Sequence, residues 1–285
     1  MKTIVIAAGY ATRLYPLTEN FPKPLLRIGE STILDRLLDD IDTIPEVTEH
    51  IVVTTHRFAG IFDEWAAARN GDHDRKGNGE ASVIPSAASV IPSAASVIPS
   101  AAKESPKPVR IIDDGTSSNE TRLGAVRDLI LALETCGVDE DVLVAAGDNV
   151  LEFSLRGFVE EFRRKGTSMI MYYYESELRK LQRTGVIEID GDRKVLQMQE
   201  KPEVPVSGWA VPPFYIYRRE DIDLVRHSIE NGCGADAPGN LARYLVGRTP
   251  IHAWPMPGAR FDIGSLDTYA EAQRRYCHFE RSREI

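Results

Sequence analysis

The sequence predicts an α/β fold, a mixed and mostly parallel sheet flanked by helices, for a chain of 285 residues. Short apolar runs alternate with amphipathic stretches at helical spacing, as crossover helices on a parallel sheet require. The first apolar run opens directly into a loop of small residues, the usual site of ligand contact at a strand's carboxyl end. With 42% of its residues apolar, the chain is long enough to bury a full core.

Thr3–Ala8 is the first strand. Ser31 is the expected N-cap of a helix over Ile33–Ile41, whose Ile33, Leu34, Leu37, Leu38 and Ile41 share one face. The acidic run Asp35–Asp42 reads as the solvated side of that helix. His50–Thr55 is the second strand, Phe58–Ala68 a helix and Val109–Asp113 the third strand. A helix over Leu123–Glu134 precedes the fourth strand, Asp141–Ala146. Phe153–Lys165 is helical, and Ser168–Tyr174 is a strand whose Met169–Tyr174 reads as buried core, not as a stacking platform. The second half has shorter strands at Gly185–Ile189, Val195–Gln199 and Ala210–Tyr217. Helices are expected at Arg219–Glu230 and Gly239–Val246, a strand at Ile251–Trp254 and a closing helix at Ser265–Tyr276.

One segment stands outside this pattern. Ala-Ser-Val-Ile-Pro-Ser-Ala occurs in tandem at 81–87, 88–94 and 95–101, and a proline in every unit excludes a continuous helix. Residues 70–108 therefore read as a low-complexity surface insertion in a domain spanning 1–276, with 277–285 as a peripheral tail.

A formal charge of −9 argues against a nucleic-acid or anionic-membrane partner. No stretch approaches the roughly 20 apolar residues that span a bilayer, and the N-terminal apolar run is too short for a signal peptide. Cys136, Cys233 and Cys277 show no metal spacing and no disulfide framework, so a cytoplasmic setting is expected. The histidines also show no metal spacing. Homo-oligomer formation is left open.

The chemistry concentrates in the first thirty residues. After the opening strand come Gly9-Tyr10-Ala11-Thr12-Arg13-Leu14, then Pro16-Leu17-Thr18, then Pro22-Lys23-Pro24-Leu25-Leu26. Small residues let backbone N–H groups close around phosphates, and prolines reduce the loop's freedom before a ligand arrives. Residues 1–30 carry Lys2, Arg13, Lys23 and Arg27 against Glu19 and Glu30, a net +2, while the remainder is −11. A local positive loop on an acidic protein suggests a small polyphosphate ligand.

This stretch resembles the signature of the sugar-phosphate nucleotidyltransferases, with Ala11 replacing the family's second glycine. That resemblance implies a Rossmann-like, glycosyltransferase-A-like architecture in which a nucleotide-binding half and a substrate-binding half share one sheet. It implies that Arg13 and Lys23 are catalytic, and that Ala8, Gly9, Tyr10, Ala11 and Thr12 bind the nucleotide. Gly147-Asp148-Asn149 and Phe261-Asp262-Ile263-Gly264 resemble the family's metal-ligand segments, making Asp148 and Asp262 the expected holders of Mg²⁺. Glu200-Lys201-Pro202 resembles the segment that contacts the sugar phosphate. Thr184-Gly185-Val186 resembles the one whose glycine backbone touches the sugar, so Gly185, Glu200 and Lys201 are expected to bind substrate.

The expected partners are accordingly a nucleoside triphosphate and a sugar 1-phosphate. No Ser/His/Asp arrangement is present, as suits a reaction whose nucleophile is already an anion. The chain departs from the family between Asp113 and Ala125, where the base is recognised. Gly124 could let the backbone approach a base there, and Asn119 or Arg122 could reach its edge. Thymidylyl or uridylyl transfer to glucose 1-phosphate leads, with cytidylyl transfer to phosphocholine or another small phosphorylated acceptor as the alternative. A catalytically inactive sugar-nucleotide-binding module is the alternative of another class. A nicotinamide-dependent oxidoreductase is disfavoured by the absence of Gly-x-Gly-x-x-Gly after the first strand.

Overall fold

A computed structural model describes residues 1–71 and 106–281, with side chains to residue 276. The repeat at 81–101 lies outside the described residues, as do the tail's last four positions and all its side chains.

The first half builds a parallel sheet core. β1 (Lys2–Ile6) leads through the signature loop to a small hairpin, β2 (Arg27–Ile28) and β3 (Ser31–Thr32), and into α1 (Ile33–Asp42). β4 (Glu49–Thr54), α2 (Ala59–Asn70), β5 (Val109–Asp113), α3 (Ala125–Thr135) and β6 (Val142–Ala146) follow. β4 and β6 both pair with β1 in parallel, and β5 extends the sheet beyond β4.

The second half supplies β7 (Asn149–Leu151), α4 (Arg156–Lys165), β8 (Ser168–Tyr174), α5 (Leu178–Leu181), β9 (Gly185–Ile189) and β10 (Val195–Glu200). It continues with β11 (Trp209–Val211), β12 (Phe214–Tyr217), α6 (Ile222–Arg226), α7 (Pro238–Leu245), β13 (Ile251–Pro255), β14 (Arg260–Asp262) and α8 (Leu266–Arg281). The main sheet runs β10-β9-β11-β8-β12-β6-β1-β4-β5, with β13 also on β8. The mixed, mostly parallel class read from the sequence is the observed one.

Apolar side chains cover both faces of this sheet. One face packs Ile4, Ile51, Val53 and Val144 against Val126, Leu129 and Leu133 of α3 and Leu241 of α7. The other packs Val5, Val52 and Leu143 against Leu34, Leu38 and Ile41 of α1, Phe62 of α2 and Phe158 of α4. Each such side chain contributes about 1.5–3 kcal/mol by leaving water. A third cluster (Leu14, Ile28, Ile33, Val150, Ile263 and Ala272) ties the signature loop to β7 and α8.

Several boundaries differ from expectation for identifiable reasons. The N-cap of α1 is Thr32, not Ser31: Thr32, the last residue of β3, accepts the Asp35 N–H on its Oγ1 at 2.9 Å. The strand expected over Ala210–Tyr217 is two strands, because Pro212 and Pro213 have no ladder donor. β11 bridges β8 and β9, whereas β12 bridges β8 and β6. The helix expected over Arg219–Glu230 is regular only from Ile222 to Arg226, and Gly232 beyond it adopts φ +90°.

The acidic run of α1 is not simply a solvated face. Arg69 of α2 bonds Asp35 at 3.0 Å, Asp39 at 2.8 Å and Asp42 at 2.7 Å, and Asp42 is buried against His50 at 2.8 Å. Burial lowers the His50 pKa. Burial also pushes the Asp42 carboxyl upward, but hydrogen bonds from His50 and the Lys107 N–H bring it below its ordinary value. Asp40 is an unforeseen cap, accepting the Leu155 N–H at 2.8 Å just before α4.

The chain leaves α2 and re-enters β5 through a closed neck. Asn70 donates to the Val109 carbonyl at 2.9 Å and accepts the Val109 N–H at 2.8 Å, and the Lys107 N–H donates to Asp42 at 3.1 Å. The two ends of the excursion are thus fixed by residues outside the repeat. Replacing residues 81–102 by a short Gly/Ser linker should leave the thermal midpoint within about 2 °C, since each halving of loop length alters closure entropy by only about 0.6 kcal/mol. Turnover and mass in solution should also be unchanged. Lost activity at unchanged mass would show that the segment reaches the cleft, and a change of mass would give it an assembly role.

Candidate active site

The signature loop is shaped by its backbone. Beyond β1, the Ala7 N–H bonds the Val53 carbonyl at 2.9 Å, and Ala8 and Tyr10 turn inward while Gly9 is exposed. Ala11 adopts the left-handed conformation, φ 46° and ψ 40°, and opens a turn over Thr12–Leu14. The Ala11 carbonyl accepts the Leu14 N–H at 2.9 Å and the Thr18 hydroxyl at 2.8 Å, while buried Leu14 anchors the turn in the third core cluster. A glycine in the matching family position would adopt this conformation freely; for L-residues it costs about 1–2 kcal/mol.

The turn delivers Arg13 to a cleft of about 300 Å³ that is also lined by Gly9, Ala11, Lys23, Ala125 and Asp148. Its floor is Val144–Ala146 at the end of β6, and Pro213 and Pro238 form part of its wall. Lys23 is 8% exposed and donates to Asp148 Oδ2 at 2.7 Å, with Asp262 Oδ1 at 4.0 Å. Arg13 reaches the same corner, with a guanidinium nitrogen 3.9 Å from where a side chain on Gly264 would begin.

Asp148 and Asp262 meet because β7 and β14 form a short antiparallel ladder in which Asp262 lies opposite Asn149. The Ile263 N–H donates to the Asp148 carbonyl at 3.2 Å, closing the junction. Protein packed around Asp262, together with the Asp148 charge, raises its pKa against the opposing pull of Lys23, Arg260 and Arg13. Among the described residues no cluster of three or more metal-ligating side chains converges. The two carboxylates nonetheless flank a single cation, Lys23 Nζ. An all-oxygen pair of this kind suits Mg²⁺, which usually takes one or two carboxylates and completes its shell with phosphate and water.

The residues expected to hold the acceptor form a second group beside α7. Gly185 pairs with Glu200 across β9 and β10, and a Cβ on Gly185 would meet Met198 at 2.9 Å and Glu200 at 3.3 Å. The Glu200 carboxylate lies so close to Gly239 that no side chain fits there, and burial raises its pKa against Lys201 and Arg243. Lys201 takes a left-handed φ of 49°, its N–H bonded to the Thr184 carbonyl at 3.1 Å and its side chain exposed. Because Gly239 receives Glu200 and Pro238 lines the cleft, the start of α7 joins the two groups.

Gly124 has a structural reason of its own. At φ +90°, a Cβ there would lie 2.7 Å from the Ala235 carbonyl oxygen. The Ala125 and Val126 N–H groups donate to the Asp236 and Ala235 carbonyls at 3.2 and 3.0 Å, so the start of α3 is engaged by protein backbone. Arg122 donates to Asn119 at 3.1 Å on the exposed rim. Thr12 is exposed at the head of its turn.

The sequence of the nucleotidyl transferase family matches residues 2–278 of this chain. The chain belongs to that family. A glucose-1-phosphate adenylyltransferase of Fervidobacterium nodosum is 23% identical over 276 residues, covering 94% of this chain and 59% of the relative. Its counterpart in Geobacillus stearothermophilus is 24% identical over 281 residues, covering 94% and 64%. The chain thus spans about three-fifths of the length of these curated relatives. Among solved structures, UDP-glucose pyrophosphorylase complexed with UDP-glucose superposes with a TM-score of 0.71 at 19% identity, covering 97% of this chain and 98% of that one. A Bacillus anthracis protein assigned as a glucose-1-phosphate thymidylyltransferase, in complex with sucrose, gives 0.69 at 20% identity, covering 97% and 95%. These likenesses place the nucleotidyltransferase's fold on the whole described chain.

Sequence reasoning attached no role to Asn149, Arg260 or a polar group beside the loop. There, Asp114 accepts the Thr116 N–H at 2.7 Å and hydroxyl at 2.8 Å, and Tyr10 lies 3.4 Å from the Thr116 hydroxyl. Asp128 of α3 is 3% exposed, and its Oδ1 has no hydrogen-bond partner. Burial, followed by the Asp114 charge, raises its pKa to about 7.

That value has a consequence for stability. The unfolded chain releases the Asp128 proton near the ordinary value of 3.8, whereas the folded protein keeps it until about 7. Folding is therefore disfavoured increasingly as pH rises between these values, by up to about 4 kcal/mol. Asp128→Asn, which mimics the neutral acid, should gain roughly 1–3 kcal/mol relative to the parent chain between pH 5 and pH 8. Urea midpoints of both proteins at the two pH values test this; parallel pH dependences would contradict it.

Proposed function

We propose that this chain joins a nucleoside triphosphate to a sugar 1-phosphate, giving a nucleoside diphosphate sugar and pyrophosphate. The observation that carries this reading is the convergence of Arg13, Lys23, Asp148 and Asp262 on one corner of the cleft from the start, middle and end of the chain. A sugar phosphate oxygen forms the new bond to the α-phosphorus while the bond to the pyrophosphate oxygen breaks, and no proton needs to be removed. The main obstacles are repulsion between anions and their alignment in line.

Arg13 would bridge oxygens of the reacting phosphate, with the planar fork suited to two contacts. Lys23, which already neutralises Asp148, would balance charge on the departing pyrophosphate. Mg²⁺ held by Asp148 and Asp262 would screen phosphate charge and fix the triphosphate's geometry. Loop backbone at Ala8–Thr12 and the Gly124 region would hold the nucleotide. Gly185, Glu200 and Lys201 would hold the sugar phosphate, with Glu200 facing its hydroxyls and Lys201 its charge.

Thymidylyl or uridylyl transfer to glucose 1-phosphate remains the leading assignment; the adenylyltransferase relatives add ATP to the donors worth testing. The proposal includes a cytoplasmic setting, which the free thiols Cys136 and Cys233 suit; no helix among the described residues is long and apolar enough to cross a membrane. The decisive experiment is a pyrophosphate-release screen crossing the common nucleoside triphosphates with sugar 1-phosphates and phosphocholine. Release with one pair is expected, and Arg13→Ala should lower its kcat by about a hundredfold or more, as loss of an electrostatic stabiliser does. Release with none of the pairs would favour an inactive sugar-nucleotide-binding module.

The division of labour between the two groups has its own test. Lys201→Ala should raise KM for the sugar phosphate more than KM for the triphosphate, because its partner is the acceptor. Equal effects, or a dominant effect on the triphosphate, would remove Lys201 from the acceptor site.

A further inference from the structure

Asp148 is held at both oxygens. Oδ2 accepts from Lys23 at 2.7 Å and Oδ1 from the Asn149 amide at 2.7 Å. Asn149 is 1% exposed, and its amide oxygen accepts a short hydrogen bond from the Arg260 guanidinium. Arg260 is itself steered from two sides. It sits opposite Leu151 in the β7–β14 ladder, two residues before Asp262, and its guanidinium lies 5.8 Å from the Tyr173 ring centroid.

The chemistry of this chain of contacts has one consistent orientation. A guanidinium only donates and an ionised carboxylate only accepts. A side-chain amide between them must turn its oxygen to Arg260 and its nitrogen to Asp148, so the arginine fixes which way Asn149 faces. Asn149 then presents a donor to Oδ1 and limits rotation of the carboxylate. We infer that Arg260 is a positioning residue: acting through Asn149, it holds Asp148 in the orientation needed to bind the divalent cation. This rests on the metal assignment proposed above for Asp148 and Asp262.

Loss of Arg260 separates positioning from the simple effect of charge, because the two act with opposite sign. Arg260 is a cation near the Asp148–Asp262 pair, so removing it should strengthen cation binding if Coulomb attraction alone mattered. If Arg260 works through Asn149, its removal should weaken binding, because the carboxylate loses its fixed orientation.

Mn²⁺ alone, titrated into the full chain and followed by the electron paramagnetic resonance of the free ion, gives the affinity without reference to turnover. Arg260→Gln and Asn149→Leu should each raise the Mn²⁺ Kd by about tenfold or more, the loss usual when a partner of a metal ligand is removed. The double variant should bind no more weakly than the weaker single variant, since both changes break one chain of contacts. Thermal midpoints measured alongside identify a variant that fails to fold, in which case the other single variant carries the test with the same expected sign. Unchanged or tighter binding in the variants, or additive losses in the double variant, would overturn the positioning role while leaving the metal assignment standing. Absence of Mn²⁺ binding by the parent chain at millimolar concentration would instead defeat the metal assignment, and the positioning role with it.

Discussion

The short ladder between β7 and β14 is the constraint on which the site depends. Its three residue pairs join segments more than a hundred positions apart and set Asp262 beside Asp148. Neither strand has the length or the apolar run to be stable by itself. They are held by the third core cluster, in which Val150 and Ile263 pack with Leu14 of the signature loop and Ala272 of α8. The apolar contacts that shape the phosphate-type loop are therefore the same ones that align the carboxylates.

Around that ladder, charge is distributed with little redundancy. Lys23 is almost wholly buried and sits on Asp148, so the desolvation cost of each is offset by the other. Arg13 is exposed and near Asp262, and its planar fork can meet an incoming anion. On the acceptor side, Glu200 is packed against Gly239 and Gly185, two positions where a side chain would displace it. Glycine at 239 is required by the space the Glu200 carboxylate occupies, whereas at 185 the Met198 methyl is the nearer obstacle, at 2.9 Å.

The parallel core was readable because β1, β4 and β6 are largely apolar runs with helical patterns between them. The signature residues were readable because their types and order resemble the pattern of the family to which the chain belongs. What escaped was set by partners distant in sequence. β7 and β14 are three residues each and have no periodicity to detect. Arg260 acquires meaning only through Asn149, 111 positions away. Likewise, the acids of α1 look like ordinary surface charge until Arg69 arrives from α2 to bind three of them. Gly124, read from the sequence as a place where backbone could approach a base, also has the Ala235 carbonyl beside it, a partner the sequence could not reveal.

Ala11 bears on the loop in a different way. Glycine at the left-handed position would leave the free loop many alternative backbone paths, all of which a bound nucleotide would have to suppress. Alanine visits far fewer of them, and here the Thr18 hydroxyl, the Leu14 N–H and the packing of Leu14 hold the one that is needed. The methyl group that strains the backbone thus reduces the disorder left for a ligand to remove. If the loop holds the nucleotide as proposed, some of the ordering that would otherwise weaken affinity is completed when the protein folds.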